Sequence, residues 1–193
     1  MPAARFPLPG SLALALVGAL AAAAAPARAE PLPAGSLGIM AGAGGGTGQY
    51  ARSLGLGYYQ FGAQAAWQPM TTDQRIGWSL KWSFLFGTMY EADSARIDLN
   101  LRTLQMDFLA GLRVRPGESR TRYLALRGGV ELLRSNEPIQ PDNKRAFVGP
   151  VADAGFEQYL FGAVLFNVDV RYGLIGSGPT EIALLIGASL SVP

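Results

Sequence analysis

The sequence has neither cysteine nor histidine among its 193 residues. The missing cysteine excludes disulfides, thiol nucleophiles and thiolate metal sites, and the missing histidine excludes imidazole bases and the usual zinc ligand sets. Ser-His dyads and triads are therefore out. An excess of charge of one sign is missing as well, since 16 Lys and Arg stand against 14 Asp and Glu. Arg5 and Arg28 fall in the first 29 residues, which hold no acid, so the other 164 carry 14 of each sign. Such a neutral body with scattered basic residues gives no electrostatic footprint for nucleic acid. No stretch shows convincing helical spacing. What the chain does have is 25 glycines, 49% hydrophobic residues and only 16% charged ones, in a length that suits one domain.

The first 29 residues carry Arg5, then an apolar run from Ser11 to Ala25, then Pro26 and Ala27-Arg28-Ala29. This is the layout of a secretory signal peptide, with cleavage expected between Ala29 and Glu30. The apolar run is 15 residues and mostly alanine, short of the ~20 that a spanning helix needs. No cysteine follows for lipid attachment. Residues 1–29 are thus expected to be a signal peptide and residues 30–193 an exported, unlipidated domain.

From Gly35 onward the dominant signal has period two. Ile76, Trp78, Leu80, Trp82, Phe84 and Phe86 alternate with Arg75, Gly77, Ser79, Lys81, Ser83, Leu85 and Gly87. Val164, Phe166, Val168, Val170, Tyr172 and Leu174 alternate with Asn167, Asp169, Arg171 and Gly173, and the residues from Leu104 to Val114 do the same. Each is a strand with one greasy and one polar face. Eight strands are expected, at about 36–45, 55–68, 75–87, 99–114, 122–134, 149–159, 164–175 and 181–192. In the fourth the apolar parity changes after Leu99 and Leu101, which predicts a bulge near Arg102 and Thr103 or a shorter strand. Connections at 46–54, 88–98, 135–148 and 176–180 alternate with shorter ones at 69–74, 115–121 and 160–163, the pattern of transmembrane barrels. Pro69 with Asp73, and Pro116-Gly117, supply turn chemistry to the short ones.

The bulky face cannot point into an eight-stranded barrel, whose interior holds little beyond its own side chains. The small and polar face fits inside. Glycines at 62, 77, 111, 129, 155, 173 and 187 are expected to make room there for the long Arg and Lys chains beside them. The expected lumen holds Gln60, Gln64, Arg75, Lys81, Gln105, Asp107, Arg113, Arg127, Glu131, Asp153, Glu157, Asp169 and Arg171. Outward residues then meet lipid, where every backbone group must be paired and the sheet must close. Tyr59, Trp67, Trp78, Phe86 and Tyr172 fall near strand ends, where membrane-interface aromatics sit. The fold class is an all-β, eight-stranded, antiparallel up-and-down transmembrane barrel. A secreted calyx-type carrier is the alternative, and it requires an apolar lumen.

The segments Ala154-Gly155-Phe156-Glu157-Gln158-Tyr159-Leu160 and Asn167-Val168-Asp169-Val170-Arg171-Tyr172-Gly173 resemble the last hairpins of small bacterial outer-membrane barrels. These are the opacity-porin and outer membrane protein beta-barrel domain families, similar in shape to OmpA and OmpX barrels. The resemblance implies an outer-membrane location in a Gram-negative-type cell and no shared catalytic set. Its implied partners are outer-membrane lipid or lipopolysaccharide and the assembly machinery, with no extracellular ligand named. Such chains usually end in an aromatic. This one ends Gly187-Ala188-Ser189-Leu190-Ser191-Val192-Pro193, keeping the glycine-to-apolar spacing without it. No peptidoglycan-binding domain is expected to follow.

Other motifs carry little. Gly42 to Gly48 lacks both the third dinucleotide-loop glycine and a P-loop lysine, so a flexible hairpin loop is expected. Glu91, Asp93 and Asp98 have Arg96 among them, as in a solvated loop rather than a calcium site. No catalytic, cofactor or metal residues are assigned, and no enzyme activity is expected. Two roles compete: a structural or surface-interaction barrel, and a narrow channel for small solutes. For the lumen, strand pairing predicts Asp107 opposite Gly129 with Arg127 and Glu131 diagonal, Lys81 diagonal to Asp107, and Asp153 near Arg171. Because isolated buried ions cost several kcal/mol, Lys81, Asp107, Arg127 and Glu131 on one wall, with Asp153, Asp169 and Arg171 on the other, are expected to form a charged plug.

Overall fold

The structure is a computed structural model that describes residues 32–47, 57–71, 73–91, 98–139, 144–160, 163–174 and 180–192. The expected signal peptide and the acidic residues Asp93 and Asp142 lie outside the described residues. Eight strands follow one another: β1 (Gly35–Thr47), β2 (Gly57–Trp67), β3 (Ile76–Glu91), β4 (Asp98–Val114), β5 (Arg122–Ile139), β6 (Lys144–Tyr159), β7 (Val164–Leu174) and β8 (Thr180–Val192). Each pairs antiparallel with its sequence neighbour, and β8 pairs with β1 to close the barrel.

The register fixes the barrel's geometry. Paired residues lead from Leu104 through Phe86, Phe61, Ala41, Ile186, Val168, Phe156 and Leu124 to Val114, ten residues along the strand where the circuit began. A stagger of ten over eight strands corresponds to a strand tilt of about 40°. At that tilt ~9 to 11 residues cross a bilayer, and every strand is at least that long.

Side-chain parity follows the expectation along the described strands. Outward stand Leu37, Ile39, Phe61, Trp82, Phe84, Phe108, Leu126, Val148, Ile186 and Leu190, all exposed. All five expected interface aromatics are exposed on this wall. Trp67 and Trp78 lie toward the end where β1 begins, β8 ends and the short turns lie. Tyr59 and Tyr172 lie toward the other end, and Phe86 packs there against Phe84 at 5.1 Å and Phe61 at 6.1 Å. With apolar side chains covering the outside and charged ones filling the inside, the wall is built for lipid and not for water.

The turn end is tightly tied. Gly117 adopts φ 64°, a left-handed value that costs a glycine little. Thr71 Oγ1 donates to Asp73 Oδ1 at 2.6 Å, and Thr71 N donates to Gln74 Oε1 at 3.0 Å. Arg75, expected inside, sits at this rim and is exposed, because it precedes the first paired residue of β3.

At the loop end the strands outrun the expected boundaries. β3 continues to Glu91, β5 to Ile139, and β6 begins at Lys144, so most of the expected loop 135–148 is hairpin. Beyond the bilayer nothing requires an apolar face, so pairing persists there without alternation. Most of the glycine run expected to be a hairpin loop also belongs to β1, which runs to Thr47. The register irregularity of β4 lies between the pairs Met89–Leu101 and Glu91–Asp98. Its extra residue is therefore at Leu99–Asn100, slightly before the expected Arg102–Thr103.

Candidate functional site

The inward residues of the barrel form two ionic tiers. Nearer the turns, Arg127 on β5 is the hub. Its Nη1 donates to Asp153 Oδ1 at 2.7 Å and lies 3.4 Å from Asp169 Oδ1, its Nη2 contacts Glu157, and its Nε donates to Ser79 Oγ at 2.7 Å. Lys81 Nζ on β3 reaches Asp169 Oδ2 on β7 at 2.6 Å. β3 and β7 are four places apart in an eight-strand ring, so this pair spans the lumen. Gln68 Nε2, just past β2, likewise crosses to Glu157 Oε1 on β6 at 2.9 Å.

Arg113 lies below the hub. Its Nε is 2.8 Å from Glu157 Oε2, and its guanidinium lies 3.7 Å from the centre of the Tyr123 ring and 5.4 Å from that of Tyr159. This cation–π stack lies toward the turn end of the lumen. Gln64 Nε2 donates to Asn167 Oδ1 at 2.7 Å and to Ser189 Oγ at 2.9 Å, linking β2 to β7 and β8. A cavity of about 10 Å³ remains among Gln64, Gln68, Lys81, Arg127 and Glu157, about the volume of one water.

The second tier lies nearer the loops. Arg171 Nη1 on β7 donates to Asp107 Oδ2 on β4 at 2.9 Å, and its Nη2 contacts Glu181 on β8. Ser83 Oγ donates to the same Asp107 oxygen at 2.6 Å. Glu131 belongs to this tier but differs from the rest. It is 1% exposed, and neither carboxylate oxygen has a hydrogen-bond partner among the described residues. Its Oε2 lies over Gly173, 2.6 Å from where a Cβ would stand, with Glu181 beside it.

The expected plug residues are thus all buried in the lumen, but in different company. Asp107 pairs in register with Glu131 and not with Gly129, and Lys81 is diagonal to Asp107 as expected. The two-residue slip preserves which face each side chain occupies. Asp153 pairs in register with Arg171, yet their side chains part, Asp153 going to Arg127 and Arg171 to Asp107 and Glu181. The expected Arg127–Asp107 association is absent, because Arg127 lies opposite Asp153 on the neighbouring strand. Arg113 and Glu157 were expected inside but not in the network. Ser79 and Asn167 were expected on the polar face but not in the network, and Glu181, Gln68 and Ser189 were missed, although inward parity marks them.

Six of the seven expected interior glycines divide into two groups, while at Gly77 a Cβ would meet the Met70 side chain. Gly155, Gly173 and Gly187 leave space, as expected, but the side chains nearest to it are Asp169, Glu131 and the Gln64–Asn167 pair, carboxylates and amides rather than Arg and Lys chains. At Gly62, Gly111 and Gly129 a Cβ would instead collide with the carbonyl oxygens of Phe84, Leu126 and Phe108. Those three permit close approach of the neighbouring strand.

The class these features define is the small outer-membrane β-barrel. No protein-family model and no curated protein sequence matches the chain. Solved structures do match. The attachment invasion locus protein Ail of Yersinia pestis aligns with TM-score 0.54 at 13% identity, over 81% of this chain and 98% of that one. Neisserial surface protein A aligns with TM-score 0.55 at 10% identity, over 84% of this chain and 99% of that one. At such identities the likeness shows the fold: a closed eight-stranded barrel of the kind that spans outer membranes.

Proposed function

We propose that this chain is an integral outer-membrane protein with a structural or surface-interaction role, not a catalytic one, and that its lumen is closed to solutes by the ionic network. The observation that carries the reading is the Lys81–Asp169 pair, 2.6 Å long and joining opposite walls. Arg127 and Arg113 stack beneath it, and Arg171 with Asp107 lies on its loop side. A continuous water path would have to break these pairs, and stripping a partner from a buried pair costs about 3–5 kcal/mol. The charged lumen also argues against a calyx-type carrier, which would bind an apolar ligand.

The loop end, where β3 to β6 project, is read as extracellular, since longer connections face outward in such barrels. Tyr59, Trp67, Trp78, Phe86 and Tyr172 then anchor the two membrane interfaces. The assembly machinery is a partner in this reading, with β8 the strand it would engage. The deciding measurement is single-channel recording of the purified protein in planar bilayers. The expected trace shows no steady conductance. A steady, large conductance from the unmutated protein would refute the plug and favour the narrow-channel role.

A further inference from the structure

The projecting strands carry a feature the lumen does not explain. On the outward face at the loop end, Arg102 (β4) and Arg134 (β5) hold outward register positions and are exposed, and Lys144 and Arg145 at the start of β6 are exposed beside them. The pair Leu104–Arg134 sets Arg134 diagonal to Arg102, and on the other side Arg134 pairs with Ala146, beyond which the register shifts so that Lys144 pairs with Ile139. Neither Arg102 nor Arg134 has an ion-pair partner among the described residues. Like charges so placed on adjacent strands repel, so the arrangement gains by holding an anion.

Its surroundings say which anion. Directly beneath run Phe84, Met106, Leu132 and Val148, paired in register across four strands and facing outward. The cations therefore stand at the upper border of the lipid-facing band, where long side chains lay their stems on apolar surface and lift their charges to headgroup level. The rest of the circumference is different. At the same end of β1, β2, β7 and β8 the described outward residues are Ala43, Gly45, Gly57, Tyr59, Tyr172, Leu174 and Ile182, none charged. At the turn end the exposed cations Arg75, Arg120 and Arg122 share the rim with Asp73 and Glu118.

We propose that the β4–β6 face at the loop end is a binding surface for the phosphate groups of an outer-leaflet lipid, with Arg102 and Arg134 as its principal contacts and Lys144 and Arg145 beside them. A soluble polyanion would be met by the loops or the barrel mouth. This patch faces sideways, continuous with the lipid wall. The inference goes beyond the closed-lumen reading and stands whether or not the barrel conducts.

The test uses the full barrel in nanodiscs titrated with fluorescent lipid A, either bisphosphorylated or enzymatically dephosphorylated. The wild-type protein should bind the bisphosphorylated form the more tightly, and added salt should erode that preference. The double variant Arg102→Ala, Arg134→Ala should bind it roughly thirtyfold more weakly, from about fivefold per cation near a membrane surface. Arg120→Ala with Arg122→Ala should match the wild type. Equal binding of the two lipids by the wild-type protein overturns the proposal, as does unchanged binding by the Arg102, Arg134 variant. Preferential capture of a soluble sulfated polysaccharide, with no preference between the lipids, would overturn it too. The two-lipid comparison needs no mutant, so a folding defect in a variant leaves the proposal decidable.

Discussion

The two tiers of the lumen are built from the same residue types and are balanced differently. The tier near the turns sets three cations, Lys81, Arg113 and Arg127, against three carboxylates, Asp153, Glu157 and Asp169. The tier near the loops sets Arg171 alone against Asp107, Glu181 and Glu131, and Arg171 contacts the first two. A buried charge is tolerable when paired and expensive when not. The turn tier is therefore the stabilising girder, and the loop tier holds a surplus of acid that the fold must carry. Gly173, which leaves space for Glu131, marks where the chain accommodates it.

The largest expected effect tests the girder directly. Arg127→Ala removes the hub and leaves Asp153, Glu157 and Asp169 with only Lys81 and Arg113 nearby. The folded barrel should lose about 3–5 kcal/mol, read from urea unfolding in lipid vesicles. Exposed Arg120, at the turn rim, should tolerate the same change within about 0.5 kcal/mol. Similar losses at the two positions would mean that the lumen is wet enough to screen its charges, and the contrast between tiers would collapse.

Next in size is a pair of substitutions with the same chemistry and opposite expected sign. Asp169→Asn removes a carboxylate that accepts from Lys81, Asn167 and Arg127, and should cost about 2 kcal/mol. Glu131→Gln removes a carboxylate with no donor and should raise stability by about 1 kcal/mol. Unfolding midpoints of the two variants, measured side by side, decide the matter. If Glu131→Gln destabilises as Asp169→Asn does, the loop tier is as well paired as the other.

Much of this was legible in the sequence. Period-two alternation located eight strands and the face of nearly every side chain, because lipid outside and a cramped polar lumen inside constrain alternate residues oppositely. The signal faded where that constraint ends: β3, β5 and β6 run past the membrane, and the residues around Ile139 and Lys144 show no alternation. Lumenal partners were harder to read. Adjacent-strand reasoning brings Asp153 beside Arg171, but a long guanidinium or ammonium can reach across the barrel, and Lys81–Asp169 or Arg171–Asp107 depends on curvature and tilt that no local pattern encodes. The two-residue slip between β4 and β5 arose because Val114, the last residue of β4 as expected, pairs with Leu124 and not with Arg122, so the unpaired connection is two residues longer, both on the β5 side.

A last pair of substitutions, which includes the smallest expected effect, separates the two kinds of interior glycine. At Gly111 a Cβ would collide with the Leu126 carbonyl oxygen and press on the Arg127 Cα, both backbone atoms fixed by sheet pairing. Gly111→Ala must therefore push β4 and β5 apart, at about 1–3 kcal/mol by the usual penalty for overpacking. At Gly173 the obstacle is the tip of Glu131, 2.6 Å from the new Cβ, and that side chain can turn aside without breaking a hydrogen bond to any described residue. Gly173→Ala should therefore change stability by less than about 1 kcal/mol. Combining Gly173→Ala with Glu131→Gln provides the sharper reading. If Glu131 is held in place only by packing, the two changes should add to within about 0.5 kcal/mol. A larger coupling in the double-mutant cycle would mean that Glu131 is anchored at its tip, and that the loop tier is a built ionic layer like the one below it.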